Sequence, residues 1–159
     1  MQIVTQAAGR AGRGDRRGKV IIQSYEPDNY SLLAAAAHDY EQFYGQEIKL
    51  RRFMDYPPFT DLIMVNFTAE DEELAIKIGE RCKRYMENAL AEEKGYRILA
   101  PQFSQNFKGK DAVRFYILIK CPKGERNKYV YYLENFNKIL INEKIECNMD
   151  LDINPYGTY

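Results

Sequence analysis

The side chains best suited to chemistry stand near the start of the chain, in the run Gln6-Ala-Ala-Gly9-Arg10-Ala-Gly12-Arg13. Thr5 before it is a good helix N-cap and Gly14 after it a good stop, so the run is predicted to be a two-turn helix. At about 100° per residue, Gln6, Arg10 and Arg13 fall within a narrow arc of one face. Gly9 and Gly12 lie on another side, where missing side chains allow close backbone packing. Two guanidiniums and an amide aimed the same way suit an anion, above all a phosphate, because arginine donates several hydrogen bonds in a fixed fork. On charge alone, a solvated basic helix end is the plainer alternative.

A second group lies between residues 108 and 128, where seven bases face two acids. Lys108, Lys110 and Arg114 lie in or beside one loop, and Lys120, Lys123, Arg126 and Lys128 surround the next turn. Such residues bring salt-dependent, sequence-independent affinity for phosphates. Phe103, Phe107 and Tyr116 add base stacking if exposed. The alternative is a solvated sheet edge with its aromatics in the core. His38 beside Asp39 lacks a partnering nucleophile and reads as structural. Asp150 and Asp152 share the outward face of a strand, and a solvated face suits them better than a paired-carboxylate metal site. No metal site is expected.

The bulk properties set the frame. With 159 residues the chain has room for one domain and an appendage. Lys and Arg total 23, as do Asp and Glu, and hydrophobic content is ordinary, so disorder is not indicated. Residues 10–19 nevertheless carry five bases against one acid. There is no apolar run of membrane-spanning length and no signal-peptide pattern, which predicts a cytoplasmic protein without membrane partners. Cys82, Cys121 and Cys147 form neither a zinc pair nor an even disulfide framework and are expected to be reduced and buried.

The elements that must position these groups can be taken in order. Gly18 to Tyr25 is predicted to be a short buried strand. Asp28 is expected to cap a helix on Tyr30, Leu33, Ala37, Tyr40 and Tyr44 that Gly45 ends, with a second helix from Gln46 to about Met54. Pro57-Pro58 makes a stiff joint. Beyond it, Thr60 to Phe67 alternates as a strand. A long helix follows from Ala69 to about Glu93, with Ala75, Ile78, Cys82, Tyr85 and Ala89 inward. Tyr96 to Ala100 is a strand stopped by Pro101, and Gln102 to Asp111 a basic loop. Val113, Phe115, Ile117 and Ile119 then face inward on a strand whose Arg114, Tyr116, Leu118 and Lys120 face out. A helix from about Arg126 to Leu140 and an alternating strand from Ile145 to Ile153 complete the chain. The order β-α-β-β-α-β predicts an α+β, ferredoxin-like domain: a four-stranded antiparallel sheet with two helices on one face.

The exact order Gln-x-x-Gly-Arg-x-Gly-Arg resembles the last ATP-site motif of superfamily 2 helicases, where the arginines contact the γ-phosphate across the cleft between two motor lobes. More of the chain resembles one family. Gln6 to Arg16, then Gly18-Lys-Val-Ile-Ile-Gln23, His38-Asp39-Tyr40 with Phe43-Tyr44, Tyr56-Pro57-Pro58-Phe59, Ala100-Pro101, Arg114-Phe115 and Asp152-x-Asn154-Pro155 look like the replication-restart primosomal helicases, the PriA family. Arg17 departs from that pattern, where proline is frequent.

The resemblance implies a C-terminal piece of a longer protein, with Met1 an introduced start. Residues 1–27 would be the tail of the second, RecA-like motor lobe, 28–59 a helical connector, and 60–159 the ferredoxin-like DNA-binding domain. It implies an ATP-dependent DNA helicase of the bacterial cytoplasm, nucleoid-associated at forks, that restarts replication by primosome assembly. Arg10 and Arg13 would contact the γ-phosphate, Gln6 and Gly9 would lie in the ATP site, and Lys108, Lys110 and Arg114 would meet DNA. Implied partners are forked and single-stranded DNA, single-stranded DNA-binding protein and helicase-loading proteins. The acidic tail of single-stranded DNA-binding protein would be gripped near the seam between the C-terminal domain and the motor lobe. Arg126 falls in that neighbourhood, but the spacing there does not align cleanly and it is not assigned to the site. ATP and Mg2+ would serve the longer protein, as would zinc in a cysteine-rich region.

This sequence lacks the phosphate loop, the magnesium-binding Asp-Glu-x-His motif and the zinc cysteine pairs. Because phosphoryl transfer needs the cradle, metal and water-positioning group together, the chain alone is expected to be inactive as an ATPase. A free-standing ferredoxin-like module binding nucleic acid or protein is the rival reading, and a small phosphatase using an arginine and an asparagine is a third. Only the helicase reading requires the order of residues from Gln6 to Arg13.

Overall fold

The computed structural model describes Gln6, residues 20–103 and residues 112–155. The chain forms two compact units, Met1–Met54 and Asp55–Tyr159.

In the first unit, α1 spans Tyr30–Ala36 and α2 spans Tyr40–Phe53. The expected break at Gly45 falls instead at Ala37-His38-Asp39. His38 adopts a left-handed φ of 55°. Its N–H donates to the Ala35 carbonyl, and that of Asp39 to the Ala34 carbonyl at 2.9 Å. These paired bonds are the Schellman ending of a helix. Asp39 then accepts from the Gln42 N–H at 2.8 Å and starts α2. The lone His-Asp pair is thus a helix stop followed by a helix start. Gly45 lies within α2 with open space about it, and nothing there forces a stop. Asn29, one residue later than expected, caps α1 by accepting from Ser31. Tyr30 stacks on Phe43 at 6.1 Å and donates its hydroxyl to Glu47. Burial, then the Glu47 carboxylate, pushes the Tyr30 pKa up to about 12. Val20, Ile21, Ile22 and Tyr25 are exposed and lie in no strand. The buried strand expected from Gly18 to Tyr25 does not form among its described residues, 20–25.

The second unit contains β1 (Thr60–Ala69), α3 (Glu72–Ala89), β2 (Arg97–Ile98), β3 (Gln102–Phe103), β4 (Val113–Pro122), α4 (Arg126–Asn142) and β5 (Asn148–Ile153). The antiparallel sheet runs β2-β4-β1-β5, with β3 also on β4. β2 and β3 lie along one edge of β4, pairing Ile98 with Ile119 and Gln102 with Tyr116. They are one strand interrupted at Ala100-Pro101, because proline has no N–H for the ladder. Pro101 therefore pauses the edge strand rather than ending it. Counting that edge as one strand, the order is β-α-β-β-α-β with β1 and β4 central, the ferredoxin-like plan.

Both helices cover one face of the sheet. Ile63, Val65, Phe67, Ile117 and Ile119 from the strands share a buried cluster with Ile78, Cys82 and Met86 of α3 and Tyr129, Leu133, Phe136 and Leu140 of α4. Asp71 caps α3 by accepting from Glu73 and Leu74. Its buried seam uses Met86 where Tyr85 was expected, and Tyr85 lies half-buried with its ring 5.3 Å from Phe136. Gly79 brings α3 close to β4: a Cβ there would stand 2.7 Å from Phe115 Cε1. The opposite face is also partly buried, against expectation. Leu62, Met64, Tyr116 and Leu118 cluster there, with Tyr56 and Leu99 packed on them. Lys120 Nζ sits 4.1 Å from the Tyr56 ring centroid, a cation–π contact that lets a lysine lie buried. Tyr56 is held in place by a turn in which its carbonyl accepts from the Phe59 N–H at 3.0 Å, around a cis Pro57-Pro58 bond.

Candidate nucleic-acid interface

The helix-free face is apolar toward Tyr56 and polar toward the start of β4. Directly opposed residues of antiparallel strands share a face. One row therefore reads Arg114, Thr68, Asn148, and the next Tyr116, Asn66, Asp150. Gln102, opposite Tyr116, extends the second row to the sheet edge. The Tyr116 hydroxyl donates to Gln102 Oε1 at 2.7 Å. Asn66 Nδ2 donates to Asp150 Oδ1 at 3.4 Å. Arg114 Nε reaches Thr68 Oγ1 at 3.5 Å, and its Nη2 lies 3.9 Å from Asp150 Oδ2.

Of the expected DNA-binding residues, Arg114 is therefore on the helix-free face, half-exposed and beside a carboxylate. Lys108 and Lys110 lie outside the described residues. In sequence they fall between β3, which ends at Phe103, and β4, which begins at Val113. Tyr116 is buried, so its ring cannot stack on a base; its hydroxyl is tied to Gln102 and its ring lies among Leu62, Met64 and Leu118. Phe103 remains 43 % exposed on the edge, its ring 5.1 Å from Phe115 and edge-on to it. Phe107 is not among the described residues.

The later bases divide. Lys120 is the buried partner of Tyr56, and Lys128 pairs with Glu93. Lys123 and Arg126 are exposed and flank a network that sequence reasoning missed. Asp61 accepts from the Gly124 N–H at 2.8 Å and from Asn154 Nδ2 at 3.1 Å. Asn154 also accepts from the Leu62 N–H and donates its own N–H to the Leu62 carbonyl, each at 2.8 Å. Burial alone would raise the Asp61 pKa. The hydrogen bonds from Gly124 and Asn154, then the charges of Arg126 and Lys123, outweigh it and hold the carboxyl below its ordinary value. At the same end, Glu125 stands at the N-cap of α4 without a side-chain capping hydrogen bond, and the first turn of α4 holds no acid. Sequence reading named Asn154 only within the Asp152-x-Asn154-Pro155 resemblance and Asp61 not at all.

Of the expected ATP-site residues, Gln6 is helical and exposed, and Gly9, Arg10 and Arg13 lie outside the described residues. Among the described residues no three His, Cys, Asp or Glu side chains stand together to hold a metal. Asp150 and Asp152 face outward as expected, and Asp150 is engaged by Asn66 and Arg114. All three cysteines are free; Cys82 and Cys121 are buried and Cys147 half-buried. No described helix is long and apolar enough to cross a membrane.

A four-stranded antiparallel sheet with both helices on one face defines a small α+β domain of ferredoxin-like plan. Residues 52–156 match the Primosomal protein N C-terminal domain family, and the chain belongs to it. It is 34 % identical over 158 residues to the replication restart protein PriA of Bacillus subtilis, covering 98 % of this chain and 19 % of that one. Identity to the PriA proteins of Rickettsia felis and Chlamydia muridarum is 31 % over 159 residues, or 99 % of this chain and 23 % and 20 % of theirs. The chain thus spans about a fifth of the length of these curated relatives.

Proposed function

We propose that this chain is the C-terminal part of a replication restart protein, an ATP-dependent DNA helicase that recognises stalled or abandoned forks and rebuilds a primosome on them. The observation that carries the reading is that the likeness to the PriA proteins spans 98 % of the chain. It therefore takes in the Gln6–Arg13 run together with the sheet domain, and a free-standing sheet module gives no reason for that run. In this reading residues 1–27 close the second motor lobe, 28–59 connect, and 60–159 bind DNA. Arg10 and Arg13 contact the γ-phosphate in the whole enzyme, with Gln6 and Gly9 beside the nucleotide. Lys108, Lys110 and Arg114 meet the DNA backbone. ATP and Mg2+ serve the longer protein, whose nucleotide site this chain completes only in part, zinc serves its cysteine-rich region, and the whole acts in the bacterial cytoplasm.

The uncapped start of α4, with Lys123 and Arg126 beside it, supports the acidic tail of single-stranded DNA-binding protein as a partner, because a helix N-terminus and cations both favour carboxylates. Helicase-loading proteins complete the partner set. The purified chain is expected to bind forked DNA without hydrolysing ATP, since arginines alone do not make a phosphoryl-transfer site. DNA-stimulated hydrolysis by the chain alone would overturn this division of labour.

A further inference from the structure

β5 lies at one edge of the sheet, and among the described residues it pairs only with β1. Asn154 donates its backbone N–H to the Leu62 carbonyl, which fixes the direction of the peptide groups before it. Hydrogen-bonded residues alternate along an antiparallel ladder. Asp152, Asp150 and Asn148 therefore turn their N–H and C=O groups toward β1, opposite Met64, Asn66 and Thr68. Met149, Leu151 and Ile153 turn theirs outward, three donors and three acceptors along the edge. The side chains divide the same edge by face. Those of Met149, Leu151 and Ile153 pack on the helix-covered core but are only half-buried, so the apolar layer ends unfinished there. Those of Asp150 and Asp152 are exposed on the helix-free face.

Sheet edges are commonly blunted by lysine, proline or a bulge. From Ile145 to Asn154 there is no lysine, arginine or proline, and the register with β1 is unbroken from Asn148 to Ile153. The charges on this stretch are Glu146, Asp150 and Asp152, all acidic. They decide what the edge can accept. A second copy fits poorly: with Leu151 opposite itself across a two-fold axis, Asp150 of each copy would face Asp152 of the other, and opposed like charges are destabilising. A peptide that alternates basic and apolar residues fits both faces. Its cations would lie beside Asp150 and Asp152, and its apolar side chains would continue the layer of Met149, Leu151 and Ile153.

We propose that the β5 edge takes up an extended, basic segment of a partner protein as an added strand. Main-chain hydrogen bonds to Met149, Leu151 and Ile153 supply the affinity, and alternating charge supplies the selectivity. The site is at the opposite edge of the sheet from β2 and β3, and it does not depend on the DNA-binding reading.

The test uses the full chain and a labelled, capped peptide, Lys-Val-Lys-Val-Lys-Val-Lys, followed by fluorescence anisotropy and amide hydrogen exchange. Without peptide, the N–H groups of Asp150 and Asp152 should be protected and those of Met149, Leu151 and Ile153 should exchange freely. With peptide, exchange at these three should slow at least tenfold. A peptide of the same composition, with its lysines and valines in separate blocks, has the same charge without the alternation and should bind about tenfold more weakly. In Glu146→Lys/Asp152→Lys, whose changes are both on exposed side chains, the Kd for the alternating peptide should also weaken about tenfold. Protection of Leu151 before peptide is added would mean that the edge is already occupied, and would overturn the proposal. So would absence of binding, equal affinity for the two peptides, or a Kd unmoved in the variant.

Discussion

Asn154 donates its side-chain N–H to the Asp61 carboxylate at 3.1 Å across 93 positions of sequence. It thereby fastens the end of β5 to the start of β1. The second oxygen of the same carboxylate accepts from Gly124 in the turn before α4. One carboxylate thus joins three segments at the end of the sheet where Lys123 and Arg126 are displayed.

Removing Asn154 should loosen that corner. Asn154→Ala leaves the Leu62 N–H and part of the Asp61 carboxylate without partners, at a cost of about 1–3 kcal/mol. The pH dependence follows from the sign of the Asp61 shift. Its folded pKa lies below the ordinary 3.8, so it contributes stability above that value and loses it as pH falls through the folded pKa. Urea unfolding should therefore show the gap between the unaltered chain and Asn154→Ala narrowing below about pH 4. A gap independent of pH between 6 and 2 would contradict the assignment.

Gly79 is predicted to resist substitution. The new methyl group of Gly79→Ala would meet Phe115 Cε1 at 2.7 Å and Cδ1 at 2.9 Å. Overpacking of this kind costs about 1–3 kcal/mol, against a gain of about 1 kcal/mol in helix propensity. The net expectation is a loss of stability, recovered in part by adding Phe115→Leu. A single variant more stable than the original chain would show that α3 does not press on β4 here.

The thiols should react in a fixed order. Burial pushes Cys82 far above the ordinary thiol range and, with smaller help from Asp61 and Glu125, pushes Cys121 up to about 11. Cys147 is also raised by burial, with a backbone hydrogen bond from Thr68 working against it, and it is only half-buried. Since the thiolate is the reactive form, a thiol reagent at pH 8 should modify Cys147 first and the other two only on unfolding. Early labelling of Cys82 would place α3 wrongly.

The sequence was most readable where one face of an element meets water. β5 alternates as expected, with Asp150 and Asp152 outward, because it is an edge strand with one solvated face. β1 and β4 are buried on both faces from Leu62 to Phe67 and from Phe115 to Cys121. Alternation then loses its meaning, and Asn66 and Lys120 lie inside as polar exceptions. The helix break at His38 was hidden because a non-glycine residue takes the left-handed position, while the more suggestive Gly45 has no such role. The Asp61–Asn154 corner depends on residues brought together only by strand order, which no local pattern encodes. The Gln6–Arg13 run reads as a motif by its order alone, and all of it but Gln6 lies outside the described residues.

The central claim is that the sheet domain binds the DNA backbone through Lys108, Lys110 and Arg114. Its most direct measurement is the affinity of the chain for labelled forked DNA as salt is raised. Three phosphate contacts predict a log–log slope of about −2.7, and removing two of them should flatten it by about two. Lys108→Ala/Lys110→Ala is therefore expected to weaken binding at low salt and leave a slope near −1. A chain that binds no forked DNA at low salt, or a double variant with an unchanged slope, would contradict the account.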